Sequence, residues 1–288
     1  MHSSAPDPII SPKNQTLILA DGSSWSIVGK DKGGADTSRL LAKTMRLHPS
    51  PRTTQKLLIL SKPPAADGTA QPIFSEKTLK AIGNSNNMTC QLGPSDDRVK
   101  LVVQLLEISQ IFCCTAEERG GVSIHGALAE KKGNGIILAG RGNVGKTTAS
   151  RRLPSPWRAH SDDSTLIVLD KTNNYRAHPW PTWSSLTSGD SFQTWDVQFS
   201  VPLKAIFILS QSKTDKVQQI GKGQAACLLN EAVDQACWGL DARLGNKAKQ
   251  AIRLRRFDNI CQMVEAIPAY LLQISKNGSF WEEIDKVL

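Results

Sequence analysis

No stretch of about twenty mostly apolar residues occurs, so a membrane span is not expected. The longest apolar run, Leu101 to Cys114, is interrupted by Gln104, Glu107 and Gln110. The opening Met1-His-Ser-Ser-Ala-Pro-Asp-Pro has neither the basic nor the apolar region of a secretory signal. The six cysteines (Cys90, Cys113, Cys114, Cys227, Cys237, Cys261) include no C-x-x-C pair, which removes the usual zinc signature. A chain of 288 residues also has little need of a disulfide framework. The expectation is therefore reduced thiols in a cytoplasmic protein. Acidic residues are the minority: 26 Asp and Glu stand against 35 Lys and Arg, a formal charge of +9 that favours anionic partners. No helix-turn-helix, zinc finger or aromatic stacking motif accompanies the basic residues, so nothing singles out nucleic acid. Hydrophobic residues at 40% and charged residues at 21% exclude wholesale disorder.

Patterning along the chain suggests a loose arm over residues 1–14, a small N-terminal α+β region over 15–95, and an α/β nucleotide-binding domain over 96–288. Strands are expected at Thr16–Ala20, Trp25–Val28 and Lys56–Leu60, with a turn at Asp21-Gly22, a short helix at Thr37–Leu47 and a loop at Pro63-Pro64-Ala-Ala-Asp-Gly. The Gly-, Asn- and Ser-containing residues 83–95 look like a boundary. Asp96-Asp97 then open a broadly apolar helix in which Val99, Val102, Val103 and Leu106 share one face. Strands follow at Val122–Ala129, Gly135–Ala139, Thr165–Leu169, Ala205–Leu209 and Tyr270–Ile274. Helices are expected after the Gly-rich loop up to Pro154, over 222–238 and 242–265, and at Phe280–Leu288.

The strongest chemical signal is Gly140-Arg141-Gly142-Asn143-Val144-Gly145-Lys146-Thr147-Thr148, which fits G-x-x-x-x-G-K-[ST]. Glycines let successive backbone N–H groups curl towards phosphate oxygens. Lys146 would reach the β- and γ-phosphates of ATP, and the Thr147 hydroxyl would ligate Mg²⁺. The apolar strand before the loop and the helix after it are the context the motif requires. Sixteen residues beyond Lys146 lies Asp162-Asp163. Adjacent carboxylates can divide proton acceptance and metal contact between them, or can simply form a solvated turn. His125 on its strand is either catalytic or locally hydrogen-bonded.

His125-Gly126 on a strand, then a second strand, the glycine loop and an Asp pair, in that order, resemble the HPr-kinase-like group of P-loop kinases, which shares its core with phosphoenolpyruvate carboxykinase. Arg176-Ala-His-Pro-Trp-Pro, Pro202-Leu-Lys-Ala-Ile-Phe-Ile-Leu and the Ala269-Tyr-Leu-Leu-Gln-Ile-Ser…Phe280-Trp end extend the likeness over about residues 121–288. The chain is also similar to the ScmC family of SynChlorMet peptide-modification cassettes. The resemblance implies a P-loop kinase core and ATP-dependent phosphorylation of a Ser/Thr-type hydroxyl on a peptide or small protein. It implies Asp162, Asp163 and His125 as the catalytic group, with Thr147 and Asp162 towards Mg²⁺, and it allows a homo-oligomer. One departure stands out: HPr kinases carry a Glu-x-Arg-Gly-type segment after the Asp-pair strands, whereas residues 171–200 contain no glutamate.

Two competing readings follow. Ser212-Lys213-Thr214-Asp215 imitates the guanine-reading N-K-x-D of a GTPase, although no D-x-x-G switch lies between the glycine loop and Ser212. The missing glutamate alternatively suits a nucleotide-regulated peptide-binding adaptor. Trp180, Trp183 and Trp195 could form a lip over a peptide or the adenine ring, or could be plain packing. The basic residues Arg151, Arg152, Arg158, Arg253, Arg255 and Arg256 could bind phosphate or an acidic peptide, or could be solvated faces.

Overall fold

A computed structural model describes residues 15–50, 53–61, 74–75, 79–84, 86–93, 97–188, 193–241 and 245–288. The expected N-terminal arm and the Pro63-Pro64 loop lie outside the described residues. The first sheet joins β1 (Gln15–Ile18), β2 (Ser24–Gly29), β3 (His48–Pro49), β4 (Gln55–Leu60), β5 (Phe74–Ser75), β6 (Leu79–Gly83) and β7 (Asn87–Leu92) in the order β3-β1-β2-β4-β7-β6-β5. β2, β4 and β7 run parallel. The helix α1 (Lys32–Thr44) crosses between β2 and β4. It starts five residues earlier than the sequence suggested. Asp31 caps it by accepting from the Gly34 N–H at 2.8 Å, and this cap outweighs the poor helix propensity of Gly33-Gly34. Glycine is needed at 34, because a Cβ there would lie 2.2 Å from the Ile59 carbonyl oxygen.

Residues 83–95, read from sequence as a boundary, hold β7 inside this sheet instead. Its alternating burial comes from parallel pairing with β4, a long-range contact that local turn chemistry conceals.

The long helix α2 (Arg98–Glu117) begins at Asp97, whose carboxylate accepts from the Lys100 N–H at 2.8 Å. By length and composition α2 is sufficient to cross a membrane, which the sequence reading did not anticipate. Within the fold, 67% of its most apolar window is buried. Leu105, Ile108 and Phe112 share a core with Trp25, Leu41 and Leu57 of the first sheet and with Trp180, Trp183 and Trp195. Phe112 meets Trp25 edge-on with ring centroids 5.4 Å apart.

The second sheet contains β8 (Val122–Lys131), β9 (Asn134–Ala139), β10 (Arg158–Ser161), β11 (Ser164–Leu169), β12 (Tyr175–Trp180), β13 (Val201–Gln211), β14 (Lys216–Gln219) and β15 (Ala269–Ile274). α3 (Lys146–Arg152) follows β9, and α4 (Ser185–Ser188) follows β12. α5 (Lys222–Asp241) and α6 (Asn246–Ala266) separate β14 from β15, and α7 (Phe280–Asp285) comes last. β9, β13 and β15 are parallel neighbours. β8 pairs along its first half with β11 and along its second half with β9, and β12 reaches back to the start of β13. The pairings β8–β11–β12–β13–β9 thus close on themselves around Leu128, Ala177 and Val201. α5 and α6 cover Ile124, Ile137 and Ile206, while α3 and α7 cover Ile136, Leu138 and Phe207 on the opposite face. β10, β12 and β14 have no counterpart in the sequence expectation. β12 contains Pro179 and β14 is largely exposed, so neither carries a clean alternating pattern.

Candidate functional site

The parallel strands β9, β13 and β15 all end on one side of the sheet. Open α/β sheets place ligand crevices outside the carboxyl ends of their strands. The glycine-rich loop Gly140–Gly145 lies there, between β9 and α3. It turns through three left-handed residues: Gly140 at φ +148°, Asn143 at φ +62° and Gly145 at φ +105°. A Cβ at Gly145 would meet no atom within 4 Å, so backbone strain, not crowding, is what calls for glycine. Such a loop forms a concavity of N–H groups suited to an anion. Lys146, although buried, bends back so that Nζ donates to the carbonyls of Gly140 and Arg141, each at 3.0 Å. Burial lowers the Lys146 pKa, and the nearby Asp163 charge works in the opposite direction. Arg141 makes a two-pronged ion pair with Glu231 of α5, at 2.7 and 3.0 Å, which fastens the loop to that helix.

The antiparallel register that sets Ser164 opposite His125 brings the Asp pair to this loop. The His125 Nε2 lies 2.6 Å from Asp163 Oδ1. Burial pushes the Asp163 pKa up, but the His125 hydrogen bond and the His125 and Lys146 charges outweigh it and hold the carboxyl below its usual range. Asp162 points elsewhere. Its Oδ1 accepts from Thr182 Oγ1 at 3.2 Å, and its Oδ2 lies 3.6 Å from Arg151. The Asp162 backbone carbonyl faces the Thr147 hydroxyl at 3.4 Å. His125, Lys146, Thr147, Asp162 and Asp163 therefore converge, and the two carboxylates occupy different surroundings. Thr182 and Arg151 were not singled out with Asp162 from the sequence, because nothing local marks a threonine twenty residues away as its partner.

Two hollows flank the loop. One of about 320 Å³ lies between α3 and the ends of β13 and β15, lined by Thr148, Arg152, Gln211 and Lys276. The other, of about 460 Å³, lies between residues 140–144 and α5. The tryptophans line neither. Trp180, Trp183 and Trp195 are buried in the core beside α2 and form no lip over the loop.

Two basic positions also depart from the surface reading. Arg152 donates to the carbonyls of Ser275 and Gly278, at 2.9 and 2.5 Å. Arg256 is buried against Glu117, Nε to Oε2 at 2.9 Å. The Asp215 carboxylate accepts from the Ser275 N–H at 2.5 Å and tethers the turn after β15. The six cysteines are all free. Among the described residues no three His, Cys, Asp or Glu side chains gather as a metal cluster.

These features define a mixed α/β protein whose glycine-rich loop faces a carboxylate–imidazole pair across the carboxyl ends of parallel strands. The family model for SynChlorMet cassette protein ScmC matches residues 88–288, and the chain belongs to that family. The match begins in β7 and takes in all of α2, well upstream of residue 121. A comparison with curated proteins finds no match.

Proposed function

We propose that this chain is an ATP-dependent kinase of the HPr-kinase-like, P-loop type that phosphorylates a Ser/Thr-type hydroxyl on a peptide or small protein. The observation that carries the reading is the meeting of Lys146 and the His125–Asp163 pair at one edge of the sheet. Residues 140–148 would hold the phosphates of ATP: the loop through its N–H groups, Lys146 by moving its ammonium from the loop carbonyls onto phosphate oxygens. Thr147 and Asp162 offer hard oxygen donors of the kind Mg²⁺ takes together with nucleotide phosphates, so the absence of a larger ligand cluster among the described residues is no objection. Mg²⁺ bound with the nucleotide neutralises phosphate charge.

Asp163, ionised and held by His125, orients the acceptor hydroxyl and takes its proton. The hydroxyl oxygen forms the new bond to the γ-phosphorus, and the bond from phosphorus to the ADP oxygen breaks. The loose transition state of such transfers asks more for positioning than for a strong base, which suits a carboxyl of depressed pKa. Asp162, turned towards Thr182 and Arg151, is the carboxylate left for the metal side.

Asp215 Oδ1 accepts from the Ser275 N–H, which speaks against a guanine-reading role, and ATP is expected to bind more tightly than GTP. Intact-mass analysis of a cassette precursor peptide incubated with the protein, ATP and Mg²⁺ tests the proposal. A gain of one phosphoryl group that Asp163→Asn slows about 10²–10⁴-fold supports it. Tight ATP-dependent peptide binding without any transfer favours the adaptor reading, for which the lack of glutamate over residues 171–200 speaks.

A further inference from the structure

Beside the His125–Asp163 pair lies a cavity of about 360 Å³ walled by α2, α5, α6 and the residues that follow β12. Its size is at the lower end for small-ligand sites, which span about 300–1,000 Å³. His125, Asp163 and Ser164 line one end, whereas Asp162 is absent from its walls. The remaining wall is mostly apolar, with Val103 and Leu106 from α2, Trp180 at the end of β12 followed by Pro181 and Trp183, and Ala236 from α5.

Two polar groups on this wall lack partners. The Trp183 indole N–H makes no hydrogen bond although the residue is 5% exposed. The Gln110 side chain, 7% exposed, makes no hydrogen bond among the described residues. The Trp183 N–H is closed off from the cavity, whereas the Gln110 amide stays open to it. Gln110 offers both an amide donor and an amide acceptor, which is the complement of a peptide bond.

The wall is also electrically quiet. Glu117 and Arg256 neutralise each other at 2.9 Å, and burial pushes the Cys113 thiol up to about 12, so it stays protonated. A negatively charged group entering here would lose its hydration without finding an unpaired positive charge.

We propose that this cavity selects the acceptor. It takes an apolar or aromatic side chain, and not an acidic one, adjacent to the target hydroxyl of a peptide, with Gln110 bonding the peptide group beside it and the hydroxyl lying against Asp163. The assignment of the hydroxyl rests on the kinase reading; the preference for a neutral apolar neighbour rests on the cavity alone.

The test uses four capped dipeptides as probes: acetyl-Ser-Phe-amide and acetyl-Phe-Ser-amide against the same pair with Glu in place of Phe. Binding to the full chain is measured by ligand-detected NMR, and phosphoryl transfer from ATP by mass spectrometry. At least one Phe probe is expected to bind ten or more times tighter than either Glu probe. Leu106→Trp, which fills the cavity, and Gln110→Leu, which keeps its volume but loses the amide, should each weaken that probe about tenfold. Mg²⁺-ATP affinity, measured by calorimetry, should not move in either variant. Two variants of opposite character keep the test informative if one misfolds. Equal binding of Glu and Phe probes, or wild-type binding by both variants, overturns the proposal. Selective Phe binding without phosphoryl transfer upholds the cavity and overturns the kinase reading, so the two failures are separable.

Discussion

His178 is 1% exposed, and it joins the two halves of the molecule. Its Nε2 accepts from the Ala20 N–H at 3.1 Å, which leaves the proton on Nδ1, 2.8 Å from the Val197 carbonyl. Burial lowers its pKa from 6.5 to about 4. Protonation would also place a hydrogen on the nitrogen that accepts from Ala20. Because the folded-state pKa lies below the unfolded one, the unfolded chain binds the proton first as pH falls. Stability is therefore complete above the unfolded value of 6.5 and declines as pH drops towards 4. A gap of this size corresponds to about 2 kcal/mol lost by pH 5 and about 3 kcal/mol by pH 4.

The assay is urea unfolding at several pH values between 7.5 and 4.5, comparing wild type with His178→Gln. Gln should lower stability at pH 7.5 through imperfect hydrogen bonding, yet flatten the pH dependence relative to wild type across this window. Differencing the two chains removes the contribution of the other titrating groups. Parallel pH profiles for both would refute the argument that a neutral buried His178 links the halves.

Further outcomes are expected. Lys146→Ala should abolish nucleotide-dependent activity and weaken ATP binding while leaving the melting temperature close to wild type, since the loop carbonyls it bonds can turn to water; calorimetry and thermal unfolding check both. Gly145→Ala should cost about 1–2 kcal/mol from the left-handed backbone at φ +105° and reduce ATP affinity, read by denaturant unfolding and titration. Arg256→Met alone leaves the buried Glu117 uncompensated and should cost about 3–5 kcal/mol, whereas Glu117→Gln combined with Arg256→Met should recover most of the loss; a double-mutant cycle decides.

Much of the chain could be read locally. The glycine loop, the helix that follows it and the strands Gly135–Ala139, Thr165–Leu169 and Tyr270–Ile274 all appear close to where their residues indicate, because loop torsions and apolar runs are properties of a few neighbours in sequence. Asp97 announced α2 in the same way, as the cap of an apolar helix. What depends on distant partners was not legible. β7 exists because β4 lies beside it, and β12 becomes a strand, despite Pro179, because β11 pairs along its whole length.

The amino-acid sequence by itself determined the loop Gly140–Lys146, the candidate Asp162, Asp163 and His125, and the ScmC family likeness. Tertiary structure alone decided how those residues divide. The β8–β11 register turns Asp163 to His125, while Thr182 and Arg151 engage Asp162, a choice between adjacent carboxylates that local sequence cannot make. It also decided that Arg256 and the tryptophans are interior and that α2, α5 and α6 enclose a cavity next to Asp163. The physical reason is range. Torsional preference and periodicity act over a few residues, whereas burial and side-chain pairing are fixed only when segments a hundred or more positions apart meet, as Glu117 and Arg256 do.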